Sequence, residues 1–382
     1  GDGLAGACTL PGGQEIWTRT YTSPGFFEDR AYHLAIDSHG DIVVVGHTTK
    51  TGEGFNNWAR RYSSDGDEGW TLNLDGMALM DEEAWSIEVL PDDSFVVAGY
   101  LTTPESGPDV WVAAVTPEGQ FSWQRTSDGG RLDLDEARDV VVAPDGDLVL
   151  IGYTTSTELG GTDLWYQRRS PDGVDVRWTR TRPGFVDYSQ DRAHGIAAIG
   201  DDFVGVGFRQ NDDGSQSWPW IARFDRNGDD VWNDDGMDDA GVFTAIEVLA
   251  NGNLVIAGDR RSAQGDGDMW LQTRSPDGAV LWQETIASPS GSDDRANTLT
   301  VDRDGGFIVG GELGAGTGST DAWIRRYDAA LHETWTTTYS GPAGDRDTVW
   351  GVGIDPRGDV VVCGYGSTPE TGWDIWVRKY SP

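Results

Sequence analysis

Lysine is almost missing from this sequence: Lys50 and Lys379 are the two present, and every other basic residue is arginine. Basic residues number 28 against 64 acidic ones, a formal net charge of −36. A surface of that sign repels phosphate backbones and anionic headgroups, so nucleic acid is excluded as a partner. It is compatible with calcium, while no other metal or cofactor is implied. No apolar run approaches the roughly 20 residues of a membrane-spanning helix. No stretch carries helical periodicity. The histidines have no metal-ligand spacing, and neither a G-x-S-x-G elbow nor a phosphate loop is present. Cysteine is limited to Cys8 and Cys363, too few for a disulfide-built scaffold.

Glycine, at 53, and tryptophan, at 18, are abundant instead. Both fit short strands joined by tight turns, with an aromatic ring repeated in each unit. One pattern recurs seven times: a small residue, an apolar strand, a turn with Asp or Gly, and a second strand ending in glycine. The closing glycines are Gly46, Gly99, Gly152, Gly207, Gly258, Gly311 and Gly364. Their spacings of 53, 53, 55, 51, 53 and 53 residues define a repeat architecture over the whole chain. Between copies runs a second pattern, D-x-W, a strand, a turn such as Ser-Pro-Asp-Gly, and another tryptophan strand. Each unit therefore holds four strands, A to D, and the expected fold is an all-β, seven-bladed β-propeller.

The phase of the repeat predicts how the ring closes. The seventh unit stops after strand C, and residues 12–21 match strand D of the others. The N-terminal strand is expected to pair with Asp374–Tyr380 and remove the exposed edges of an open array. Residues 1–13 read as a flexible linker and 14–382 as one propeller domain, expected to be a monomer. Cys8 precedes the closing strand and Cys363 lies on strand B of the same blade, so a disulfide between them, in an oxidising compartment, is expected.

Units such as EARDVVVAPDGDLVLIGYT, followed by DLWYQRRSPDG and a tryptophan strand, resemble the bacterial seven-bladed propeller repeats often labelled SBBP. The resemblance spans residues 14–382. It implies a secreted or surface-attached bacterial protein, and most such proteins have no assigned activity. The chain departs from the pattern in blades four and five, where Trp218 replaces the D-x-W aspartate and the D–A loop before Phe243 is short.

Seven copies allow each position to be compared with itself. The second residue of strand A is Tyr32, Trp85, Arg138, His194, Thr244, Asn297 and Trp350, one from each blade and all expected near one mouth of the channel. Two indoles, a phenol, a guanidinium, an imidazole and an amide suit a glycan or peptide, with aromatic faces stacking on apolar ligand faces. The residue after each closing glycine forms a second column, which includes Tyr100 and Tyr153; Arg209 follows it in blade four. These three join the candidate site, although packing between blades is the favoured account of the column. Arg209, with Arg260 and Arg261 at the same place in blade five, would stand out as anion contacts in so acidic a chain, the favoured account being that they neutralise neighbouring aspartates. A third column, Asp29, Glu82, Asp135, Asp191, Asp294 and Asp347, is expected to fix the D–A turns, with a calcium ring as the functional alternative. Blade five has Gly241 there.

The primary expectation is a non-catalytic binding propeller at the cell surface or secreted, taking a glycan, peptide or protein ligand at the channel mouth. The alternative is an extracellular polysaccharide lyase or hydrolase using His194, Arg138 and Tyr32.

Overall fold

The computed structural model describes residues 12–24, 27–49, 54–74, 81–104, 106–127, 134–155, 161–184, 189–211, 215–236, 239–263, 265–316 and 318–382. Among these residues all regular structure is β, in seven sheets each built on four antiparallel strands, hairpin-connected in blades 1 to 6. Blades 1 to 6 cover residues 30–74, 83–127, 136–182, 192–234, 241–286 and 295–339. Blade 7 takes strands A to C from 347–380 and its fourth from Glu15–Tyr21. That strand runs antiparallel to Gly372–Tyr380, with Trp17 opposite Lys379 and Thr20 opposite Trp376. Ring closure is therefore as expected. Phe27–Glu28 adds a short parallel pairing to the same strand of blade 7. No helix is long and apolar enough to cross a membrane among the described residues.

The core is divided. Seven apolar clusters form, one at each seam between neighbouring blades. Strand B carries a continuous apolar run because both of its faces are covered, as in Ile42–Val45. Strand D is the outermost strand and alternates, so Val280–Ile286 is exposed at every second residue.

The two repeated residue types turn out to be partners. Each closing glycine of strand B lies directly opposite the strand C tryptophan, as in Gly46 with Trp58 and Gly311 with Trp323. On its other side the glycine meets strand A at a β-bulge. A Cβ on Gly46, Gly99, Gly152 or Gly311 would overlap the carbonyl oxygen of Arg30, Glu83, Glu136 or Arg295. Only glycine permits that approach, and the indole opposite supplies the apolar area the glycine lacks.

The strand D tryptophans join blades at the rim. Trp17, Trp70, Trp123, Trp178 and Trp232 each lie against a glycine in the C–D turn of the next blade: Gly66, Gly119, Gly173, Gly228 and Gly278. These glycines have φ between 70° and 89°, which a side chain resists. Blade 6 lacks the glycine, and Leu331 adopts φ 65° in its place, packed in the cluster that contains Trp282. Asp225–Asp229, which has the composition of a calcium loop, is a C–D turn whose Asp225 carboxylate accepts the amides of Asn227 and Asp229.

Cys363 is buried in the seam between blades 7 and 1 and is in no disulfide among the described residues. Burial raises its thiol well above the ordinary range. Cys8 lies outside the described residues.

Candidate functional site

In every blade the ladder between strands A and B slips once, and the residue skipped is the member of the first column, Tyr32 in blade 1 and Trp350 in blade 7. The slips fall between Ala31 and His33, Ala84 and Ser86, Ala137 and Asp139, Ala193 and Gly195, Phe243 and Ala245, Ala296 and Thr298, and Val349 and Gly351. A bulged residue leaves the ladder and is re-aimed. All seven re-aimed side chains line one central cavity of about 240 Å³. The structure thus brings together Tyr32, Trp85, Arg138, His194, Thr244, Asn297 and Trp350, as the sequence comparison expects.

Their arrangement is asymmetric. Blades 7, 1, 2 and 3 contribute the large groups, which pack on each other. Tyr32 stacks on Trp85 with ring centres 4.0 Å apart and meets Trp350 edge-on at 5.7 Å. The Arg138 guanidinium lies 3.4 Å from the centre of the Trp85 ring. Arg138 also pairs with Glu136 at 3.2 Å. The Tyr32 hydroxyl donates to Glu83 at 3.1 Å and lies 3.2 Å from Nδ1 of His47. Burial pushes this phenol far above its usual range. The expectation that Trp85 offers a face to a ligand is corrected: Tyr32 and Arg138 already occupy it, because the bulge turns four large side chains into one narrow space.

Blades 4, 5 and 6 contribute His194, Thr244 and Asn297, which are smaller and tied down. Asn297 donates to Thr348 Oγ1 and to the carbonyl of Val349, both at 3.0 Å. Thr244 donates to the carbonyls of Ala257 and Ala296. His194 holds Nδ1 3.2 Å from the carbonyl oxygen of Phe243. Burial, helped by the charge of Arg138, lowers its pKa to about 3. It is a neutral hydrogen-bonding group and a weak base at neutral pH. Tyr32, Arg138 and His194, the parts of a lyase or hydrolase, share the cavity, but the first two are committed to other partners.

Beside these smaller residues opens a second cavity of about 390 Å³, which shares His194, Thr244, Asn297 and Trp350 with the central one. It forms a bowl over blades 4 to 6. Its other walls include Phe208, Gln210, Gln216, Asp259, Arg261 and Arg295. Its position follows from the acidic column. Asp29 accepts the amides of Ser23 and Thr49, Asp135 that of Thr155, Asp191 that of Gln210, and Asp294 those of Ser288 and Gly314. Each carboxylate fastens the incoming D–A loop or the end of strand B. Burial raises Asp191 and Asp347 to about 6. Blade 5, with Gly241, has no such clamp, and there the bowl lies. These contacts account for the column as turn chemistry, and no group of three or more metal-ligating side chains is arranged to hold an ion among the described residues.

Three sequence candidates lie elsewhere. Tyr100 and Tyr153 are buried between blades and line neither cavity. Arg192 lies 4.6 Å from the Tyr153 ring centre. Arg209 is buried in ion pairs with Asp191 and Asp235. Of the bowl residues, Asp259 follows Gly258 and so belongs to the second sequence column, whereas Gln210, Gln216 and Arg295 were absent from the sequence candidates. The one signal that points to them is the short loop before Phe243 together with the missing clamp at Gly241.

The central cavity is also lined by half-buried ionisable groups. Glu88 and Glu247 line the central cavity with Asp139 and His33. Burial, with repulsion from Glu247 and Asp139, raises Glu88 to about 8, and burial, with repulsion from Asp139, raises Glu247 to about 7. Asp139 bridges three blades, accepting from Ser86 Oγ at 2.7 Å and from the amides of Val140 and Ile196. Burial raises its pKa and lowers that of His33.

No protein-family model matches the chain, and no curated protein sequence matches it. Solved structures do. A protein of unknown function from Dyadobacter fermentans superposes with a TM-score of 0.53 at 12% identity, covering 97% of this chain and 100% of its own. A PL25 ulvan lyase bound to -[GlcA(1-4)Rha3S]- gives 0.51 at 11% identity, covering 94% and 95%. The β-propeller domain of the Trilobed protease from Pyrococcus furiosus, described as having an open velcro topology, gives 0.51 at 13%, covering 93% and 94%. At these identities the likeness is one of fold, consistent with the seven-bladed β-propeller of this chain and with the β-propeller domain among the three.

Proposed function

We propose that this protein is a non-catalytic binding propeller, secreted or displayed at a bacterial cell surface, whose ligand, a glycan or peptide, sits in the bowl over blades 4 to 6. The observation that carries this reading is the division of the bulge layer. Four large side chains fill one side of the channel mouth, while three small ones leave a polar, concave space of about 390 Å³ on the other. That volume lies in the range of ligand sites, and its walls combine amides and hydroxyls with the aromatic edges of Phe208 and Trp350. The resemblance to bacterial seven-bladed repeats and the strongly acidic surface support an extracellular setting.

The test is a glycan and peptide array probed with the native protein and with Gln216→Trp. Gln216 is exposed on the bowl wall, so an indole there fills the space without entering a core. A ligand bound by the native protein and lost in this variant is the expected result. A ligand bound equally by both would remove the bowl from consideration. Turnover of an array glycan, abolished by His194→Ala, would replace the binding reading with the enzymatic one.

A further inference from the structure

The charged side chains lining the bowl are Asp259, Arg261 and Arg295. Among the described lining residues two guanidinium groups face one carboxylate, in a protein whose total is −36, with Asp293 and Glu312 as further carboxylates close enough to act on Asp259. The other arginines of this region are neutralised: Arg209 by Asp191 and Asp235, Arg260 by Asp239, Arg274 by Asp234, and Arg346 by Glu312. Arg261 and Arg295 form no ion pair within the described residues. Arg261 donates to the carbonyl of Gly265 at 2.6 Å, and its side chain makes no other hydrogen bond within the described residues. Arg295 is exposed and makes no side-chain hydrogen bond within the described residues. An arginine fork with free donors is suited to bidentate capture of a planar carboxylate. The remaining walls are Gln210, Gln216, Asn297, Ser215 and Ser217, with Phe208 and Trp350. Amides and hydroxyls around a few aromatic rings match the hydroxyl-rich edges and apolar faces of a pyranose. They offer neither a free strand edge nor the apolar side-chain pockets by which extended peptides are held.

We propose that the bowl binds a carboxylate-bearing saccharide, a uronate residue of an acidic glycan, with Arg261 and Arg295 holding its carboxylate. This rests on the bowl being the ligand site. Asp259 shares the lining and opposes the anion. Burial raises it to about 6, against the pull of Arg295 and Arg261 and with repulsion from Asp293 and Glu312 adding to the rise. Acidification through that range neutralises Asp259 while a sugar carboxylate stays ionised, so binding strengthens as pH falls.

The experiment is calorimetric titration with oligomers of galacturonate, glucuronate and mannuronate, each beside its methyl ester. At least one acid oligomer is expected to bind, about tenfold or more tightly than its ester, and more tightly at pH 5 than at pH 7.5. Arg295→Gln breaks no hydrogen bond of the fold seen among the described residues and should weaken binding about tenfold. Arg261→Gln added to it should remove binding, and Asp259→Asn should abolish the pH dependence. Esters that bind as well as acids, or an Arg295→Gln variant that binds unchanged, would overturn the charge assignment. Loss in Gln216→Trp would in that case still support the bowl. Failure of every uronate oligomer, or a peptide bound in their place, would overturn the saccharide class. A uronate bound equally by Gln216→Trp would overturn both readings together.

Discussion

Arg138 lies 3.4 Å from the centre of the Trp85 ring, which Tyr32 also stacks upon at 4.0 Å. Two groups so close to one ring centre must take opposite faces, so three consecutive blades are locked together across the channel. Each contact contributes about 0.5–2 kcal/mol when desolvated. Trp85→Ala is therefore expected to destabilise the ring by about 3 kcal/mol, measured by chemical denaturation, because it leaves a void and strands the guanidinium. Its effect on ligand affinity should stay within a few-fold. A large loss of affinity with no loss of stability would mean that Trp85 faces the ligand after all.

The repeated glycine makes a sharper prediction. Gly99→Ala places a Cβ on the carbonyl oxygen of Glu83, within a bulge that cannot relax without breaking the ladder. A loss of about 3 kcal/mol or more, or failure to fold, is expected. Gly252→Ala, in an A–B turn at φ 82° with nothing near the added carbon, should cost about 1 kcal/mol, from the backbone alone. Thermal unfolding followed by circular dichroism distinguishes the two. Equal effects would show that the glycines serve turns and flexibility rather than close approach.

Glu88 and Glu247 set a pH dependence opposite to that of a salt-bridged carboxylate. Their pKa values, about 8 and about 7, lie above the unfolded value of 4.5, so the folded state binds protons more tightly. Their contribution is present in full below the unfolded value and is lost as pH rises through about 7 to 8. The denaturation midpoint should fall between pH 5 and pH 8.5, by at least about 1 kcal/mol in stability. Glu88→Gln and Glu247→Gln should each flatten that fall and be more stable than the native protein at pH 8.5. Variants that follow the native profile unchanged would show both carboxylates to be hydrated and unperturbed.

Much of the fold is legible in the sequence because it is written seven times. Gly46 through Gly364 report the period, the paired tryptophans report two further strands, and the phase assigns Glu15–Tyr21 to the last blade. The bulge column is legible for the same reason: a position that varies while its neighbours repeat is released from the scaffold. The acidic column reads correctly as turn chemistry, since short carboxylates beside loop amides bond locally.

What the sequence by itself determined is the closed seven-bladed ring and the seven residues that face its channel, since period and alternation depend on the local backbone alone. Which of those residues leave space for a ligand was decided by tertiary structure. Trp85 and Trp350 are both tryptophan in the column, yet Trp85 is sandwiched by Tyr32 and Arg138 while Trp350 borders the bowl. That Arg261 and Arg295 find no ion pair among the described residues was decided in the same way, because an arginine's partner depends on which carboxylates other blades bring within reach. Those distances are set by how twisted sheets pack around a ring, and no single repeat contains them.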